Sequence, residues 1–170
     1  MSQDPVRDAR PGDAKAIAAI YSHYAVNTII TFEEDAVPVE AMRARMLEIQ
    51  RLYPWLVAEA DGAVAGYAYA YPWKARAAYR HTVESGIYLR PDAAGRGLGT
   101  RLYAGLVGRL RERGVHAVIA GIALPNPASV ALHETMGFRS CGRLSEVGFK
   151  FGKWIDVGYW EMILDGPVGG

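Results

Sequence analysis

The sequence predicts an α/β fold: a mixed, mostly antiparallel sheet flanked by helices. Apolar and β-branched runs of strand length alternate with segments of helical period. Asp61-Gly62 separates two strand-like runs, the signature of a two-residue hairpin and of antiparallel pairing. The run Thr82 to Leu89 passes through a glycine-rich loop straight into a helical pattern, with Leu98, Leu102, Leu106 and Leu110 on one face.

The elements follow in order. Val6 to Ala9 reads as a short strand, broken by Pro11-Gly12. Asp13 is a candidate N-cap for a helix from about Ala14 to Val26, with Ile17, Ile20, Tyr21 and Tyr24 sharing a face. Asn27 to Ala36 lacks alternation and reads as an ordered loop containing Phe32. Pro38 suits the start of a second helix, which runs to about Leu52 with Met42, Met46 and Ile49 inward. Trp55 to Ala60 and Ala63 to Tyr71 are the hairpin strands, and residues 72–76 form a loop. Thr82 to Leu89 is the next strand, and the helix after the glycine loop extends to about Arg113, capped by Gly114. Ala117 to Ile122 is a strand. Pro125-Asn126-Pro127 starts a helix from Ala128 to Met136, closed by Gly137. Phe138 to Leu144 is a strand, a glycine-rich loop follows, and Asp156 to Leu164 is the last strand.

Composition narrows the class. The 170 residues fit one domain, 1–170, with no repeat or linker and a tail at 165–170 expected to fray. Apolar residues at 51% and charged residues at 22% are a globular balance. A net charge of +1, with scattered arginines, argues against a nucleic-acid partner. The lone Cys141 leaves no disulfide framework and points to a reducing compartment. The polar start Met1-Ser2-Gln3-Asp4-Pro5 carries no apolar signal region, and no run has bilayer length. A cytoplasmic protein without a membrane partner is expected.

The loop Arg90-Pro91-Asp92-Ala93-Ala94-Gly95-Arg96-Gly97-Leu98-Gly99-Thr100-Arg101 carries the first chemical signal. A helix that opens from such a loop presents unpaired N–H groups and its positive dipole end, a seat for phosphate. Gly95, Gly97 and Gly99 let the backbone turn and approach an anion, and Arg96 and Arg101 add charge. There is no Gly-Lys-Ser/Thr ending, and Gly-x-Gly-x-x-Gly fails because Thr100 or Leu102 fills its last slot. The loop resembles motif A of the GNAT N-acetyltransferases, whose amides hold the pyrophosphate of acetyl-CoA. That motif usually carries Gln or Arg where Ala94 stands, so no side-chain contact is expected from that position. The competing reading is an ordinary glycine-rich connection. The order of elements matches the GNAT order and favours the first.

Along Thr82 to Leu89, Glu84, Gly86 and Tyr88 share a face, opposite Val83, Ser85, Ile87 and Leu89, which read mostly as core. A carboxylate and a phenol thus flank a bare glycine, leaving space for a small substrate. A glutamate in an apolar strand is costly to bury unpaired, so Glu84 is either salt-bridged or functional. Asn126 to Phe138 resembles the GNAT signature Asn-x-x-Ala/Ser-x-x-Leu-Tyr-x-x-x-Gly-Phe, with His133 replacing the tyrosine that faces the sulfur. His133 is thereby a candidate proton donor or base, against the plainer reading of a half-buried helix histidine. His23, His81 and His116 take the plainer reading, and no metal site is expected.

The resemblance narrows further over Tyr53 to Glu59, Tyr69 to Arg76, Thr82 to Ser85, Leu132 to Glu134 and Trp154 to Trp160. Together these look like the phosphinothricin N-acetyltransferases, nearly end to end. That resemblance implies Glu84 and His133 as the catalytic pair and Phe32, Lys74, Arg76, Tyr79 and Tyr88 on the substrate side. It implies acetyl-CoA bound by Ile87, Leu89, Gly95, Arg96, Gly97, Leu98, Gly99, Thr100 and Asn126, and a homodimer. Lys74 and Arg76 suit a substrate with a carboxylate and a phosphinate; otherwise they are solvated loop charges. Arg80-His81 follows Tyr79 where an acidic-aromatic pair is expected, which keeps methionine sulfoximine or sulfone open as the acceptor. A protein N-terminal acetyltransferase and a non-catalytic acyl-CoA-binding module complete the alternatives.

Overall fold

The computed structural model describes residues 5–165, so all of the expected frayed tail except Asp165 lies outside the described residues. Seven strands form one sheet: β1 (Val6–Asp8), β2 (Trp55–Ala60), β3 (Ala63–Pro72), β4 (Thr82–Leu89), β5 (Ala117–Ala123), β6 (Arg139–Lys150) and β7 (Lys153–Ile163). Their order is β1-β2-β3-β4-β5-β7-β6, and every neighbour is antiparallel except β4 with β5. Four helices flank it: α1 (Ala14–Asn27), α2 (Val39–Gln50), α3 (Leu98–Glu112) and α4 (Pro127–Thr135).

Strand alternation builds two cores. Leu56, Ala68, Ala70, Val83 and Val118 face α3, whose Leu98, Leu102, Leu106 and Leu110 form the expected stripe. Trp55, Val57 and Tyr67 face the opposite way and pack with Ile17 and Tyr21 of α1 and Met42 and Met46 of α2. The sheet therefore separates an α1–α2 layer from an α3–α4 layer. The Asp61-Gly62 turn takes the expected left-handed angles, with φ of 54° and 77°. Asp13 does not cap α1 by its side chain; its carboxylate instead accepts from the Arg10 N–H at 2.7 Å and from Arg7.

The glycine-rich loop expected after Leu144 is not a loop. β6 continues to Lys150, and a tight turn at Phe151-Gly152, with φ of 52° and 71°, leads directly into β7. The glycines that suggested a loop serve the sheet: a Cβ on Gly148 would run into the ring of Phe32, which packs there. The pairing also slips between Leu144 and Gly148, which obscures the period of two in the sequence.

Candidate active site

The site exists because two parallel strands part. β4 and β5 pair only over Thr82–Glu84 with Ala117–Ile119. Beyond Glu84 the strands diverge, and Ser85 Oγ reaches across to the Ile119 carbonyl at 3.4 Å. A cavity of about 320 Å³ fills the fork and is lined by side chains from both faces of the sheet. On the α1–α2 side it is walled by Thr31, Phe32, Tyr69, Tyr71, Glu84 and Tyr159. On the α3–α4 side it is walled by Ile87, Tyr103, Asn126, Ser129 and His133. The fork brings Glu84 and His133 to one cavity from opposite sides.

Glu84 has a built environment. Tyr71 is its cross-strand partner on β3. Gly121 on β5 leaves the room: a Cβ there would stand 3.3 Å from Glu84 Oε1 and 3.3 Å from the ring of Tyr159. Burial raises the Glu84 pKa, partly offset by the hydrogen bond from Tyr71 and the charge of Lys74. No cation pairs with it in a salt bridge among the described residues. A carboxylate so placed is a stronger base than one in water.

His133 is more enclosed than a half-buried helix histidine, at 3% exposure. Its Nδ1 faces the Ser129 carbonyl at 2.7 Å, which only accepts, so Nδ1 carries the hydrogen. Nε2 then accepts from the Tyr103 hydroxyl at 2.6 Å, and Tyr103 lies 3.0 Å from Ser85 Oγ. Burial lowers the His133 pKa against that backbone bond, which favours the neutral ring. A neutral ring whose one N–H is spent on a carbonyl has no hydrogen to give a substrate.

The residues expected to form an anion seat take several roles. Gly95 and Gly97 adopt φ of 75° and 74°, angles that favour glycine, and Gly97 immediately precedes α3. Gly99 serves packing: a Cβ there would stand 3.1 Å from Leu132 of α4. Leu98 is buried, Thr100 is exposed, and Arg96 is drawn to Asp61 at 2.7 Å. Asn126 Oδ1 accepts from the Ser129 N–H at 3.2 Å and caps α4. Ile87 lines the fork, whereas Leu89 packs against Gly66 and Gly99.

The substrate-side residues separate. Phe32 and Tyr88 wall the cavity, but Tyr88 is packed between Tyr67 and the edge of Tyr21. Lys74, Arg76 and Tyr79 are exposed residues outside the lining, with Lys74 4.7 Å above the Trp73 ring. The space expected above Gly86 is occupied: a Cβ there would meet Tyr69 Cε1 at 2.7 Å. Sequence reasoning missed Tyr69, Tyr71, Tyr103, Gly121 and Lys150. The Tyr67, Tyr69, Tyr71 alternation does mark one aromatic face, and Tyr103 is a phenol within the apolar helical stripe. Lys150, 1% exposed, donates to the carbonyls of Ala25, Thr31 and Glu33 at 2.6–2.7 Å, which ties the Phe32 loop to β6. Burial lowers its pKa. No cluster of metal-ligating side chains occurs among the described residues.

Comparison with known proteins gives the family. The acetyltransferase (GNAT) domain family matches residues 6–158. A phosphinothricin N-acetyltransferase of Streptomyces viridochromogenes is 40% identical over 96% of this chain and 89% of its own. An L-methionine sulfoximine/L-methionine sulfone acetyltransferase of Salmonella typhimurium is 36% identical over 94% of each chain. The crystal structure of a phosphinothricin acetyltransferase from Sinorhizobium meliloti, in complex with AcCoA, superposes with a TM-score of 0.92 at 39% identity, covering 97% of this chain and 91% of the other. The fork between β4 and β5, the glycine loop and the matched sequence identify the chain as a member of the GNAT acetyltransferase family.

Proposed function

We propose that this acetyltransferase moves the acetyl group of acetyl-CoA to the α-amino group of a small amino-acid analogue, with phosphinothricin as the leading acceptor and resistance to it as the consequence. One observation carries the reading: the cavity at the β4–β5 fork is lined from both faces of the sheet, which suits two substrates meeting from opposite faces beside Glu84. The relatives' names supply the acceptor class, and the Sinorhizobium complex supports acetyl-CoA as donor.

The residues fit that donor. Gly95, Gly97 and the start of α3 offer backbone N–H groups to a pyrophosphate. Beyond Glu84, the unpaired edges of β4 and β5 offer peptide groups to the amides of a pantetheine arm, as an added strand would use them. Glu84 accepts a proton from the substrate ammonium. The amine nitrogen then bonds to the thioester carbonyl carbon, the carbon–sulfur bond breaks, and the nitrogen gives up its second proton to solvent. A free thiol has a pKa of about 8.5, so the thiolate can leave without a strong acid and take its proton from solvent. His133 and Tyr103 hold the wall on the other face rather than protonate the thiolate. The charge of Lys74 reaches Glu84, and Lys74 with Arg76 two residues on would suit a doubly anionic substrate.

We also infer a homodimer in a reducing cytoplasm. β6 is one of the two edge strands, and Leu144, Val147, Phe149, Phe151 and Trp154 are exposed apolar residues on its hairpin. No helix among the described residues is long and apolar enough to cross a membrane.

A thiol-release assay with phosphinothricin, methionine sulfoximine, methionine sulfone and a free-N-terminus peptide tests the assignment. The highest kcat/KM is expected with phosphinothricin and none with the peptide. A preference for the sulfoximine would favour that reading, and acetyl-CoA binding without any thiol release would favour a binding module.

A further inference from the structure

A second cavity of about 340 Å³ lies next to the first on the same face of the sheet. It is a mostly apolar groove between α2 and the β2–β3 hairpin, lined by Tyr21, Met42, Ile49, Trp55 and Tyr67, with Arg45 and Glu48 also in its walls. Tyr69 and Tyr71 belong to the walls of both cavities.

The sheet register explains the arrangement. Trp55, Tyr69 and Gly86 form one cross-strand row over β2, β3 and β4. Trp55 stacks on Tyr69 with ring centroids 4.2 Å apart, and Gly86 leaves the space into which the Tyr69 ring extends. Tyr71 and Glu84 form the next row. An acceptor whose amine reaches Glu84 therefore has the Tyr69 ring in the adjoining row, with the aromatic groove on its far side. Among the described residues no protein group hydrogen-bonds the Tyr69 hydroxyl, and burial raises its pKa, so it remains a neutral phenol. Its ring is held by stacking and by the vacancy at Gly86 rather than by a directional bond.

We propose that Tyr69 is the specificity-determining partition of the acceptor site, and that the groove behind it is a latent subsite for an aromatic or long aliphatic amino-acid side chain. The proposal rests on the acetyl-transfer reading above. It adds that the enzyme's limit on acceptor size is set by one ring. The wild type takes short acceptors because Tyr69 ends the cavity. A side chain that passes that ring gains Trp55, Tyr67 and Ile49 as apolar contacts.

The test is the kcat/KM of wild type and variants for phosphinothricin and for L-alanine, L-methionine, L-phenylalanine and L-tryptophan, read by thiol release. Tyr69→Ala should raise the phenylalanine-to-alanine ratio at least about 10-fold, the scale at which pockets discriminate side-chain size. Tyr69→Leu, which keeps an apolar cover over Trp55, should move the ratio the same way. Tyr69→Phe keeps the partition and should preserve the wild-type order. Ile49→Trp fills the groove from α2: it should leave the wild-type preference alone and erase the gain when combined with Tyr69→Ala. Unchanged acceptor order in folded Tyr69→Ala and Tyr69→Leu, or a gain that survives Ile49→Trp, overturns the proposal. A wild type that acetylates none of these amines overturns both this proposal and the transfer reading. Wild-type turnover with an unmoved order overturns this proposal alone.

Discussion

The Tyr103 hydroxyl donates to His133 Nε2 at 2.6 Å, joining α3 to α4 beneath the fork. This bond suits the neutral Nδ1–H tautomer, because the nearest group on the other side is the Ser129 carbonyl at 2.7 Å, which only accepts, with the Ser129 hydroxyl farther off at 3.3 Å. Tyr103→Phe keeps the ring and removes the donor. Turnover should fall on the order of 10-fold, equivalent to about 1.4 kcal/mol and close to one net hydrogen bond. Its pH profile should shift while the acetyl-CoA KM stays unchanged; an unchanged pH profile would leave Tyr103 a purely structural residue.

Glu84→Gln preserves shape and removes the proposed base. Turnover should drop by roughly 10²–10⁴-fold, with acetyl-CoA affinity intact by calorimetry. The residual rate should climb with pH as solvent deprotonates the amine. His133→Phe should cost less than Glu84→Gln, because both nitrogens of His133 are already occupied by protein partners. Equal losses in the two variants would return His133 to direct proton transfer.

The buried histidine also makes stability depend on pH. Its folded pKa lies below the ordinary value of 6.5, so the unfolded chain binds the extra proton first. The contribution is fully present above pH 6.5 and is lost as pH falls through the lowered folded value. Thermal melting of wild type and His133→Phe from pH 8 down to pH 5 should show a steeper acid loss in the wild type. Parallel curves would contradict a neutral, buried ring.

Lys150 clamps the loop that carries Phe32 through three carbonyls. Lys150→Met leaves those carbonyls without their donor and should destabilise the fold by roughly 1–3 kcal/mol. The amine KM should rise more than the acetyl-CoA KM, because Thr31 and Phe32 wall the acceptor side. A proportional change in both constants would count against a role specific to that wall.

Gly97→Val tests the anion seat. No atom lies within 4 Å of a Cβ at Gly97, so the obstacle is the left-handed backbone, with φ of 74°, together with the space a pyrophosphate would enter. The apparent acetyl-CoA constant should rise while the amine KM holds. Unchanged acetyl-CoA affinity in a folded variant would move the site elsewhere.

Local chemistry wrote much of the fold into the sequence. The Asp61-Gly62 turn, the leucine stripe of α3 and the glycine loop before it are short-range patterns, and each stands where the sequence puts it. Glu84 was legible because a carboxylate in an apolar strand needs a reason. The β6–β7 hairpin was not, because Gly148 reads as a loop residue until the Phe32 ring, more than a hundred positions away, is seen to fill its missing side chain.

By itself, then, the sequence determined most of the elements, the glycine loop before α3, the family resemblance and the face of β4 that carries Glu84. Tertiary structure decided where that face leads. The fork depends on where β4 stops pairing with β5, the tautomer of His133 on a phenol from another helix, and the cavity limit on Tyr69 lying across Gly86. Each is a contact between residues far apart in the chain. Local propensity and periodicity record which way a side chain faces but not which distant group meets it there.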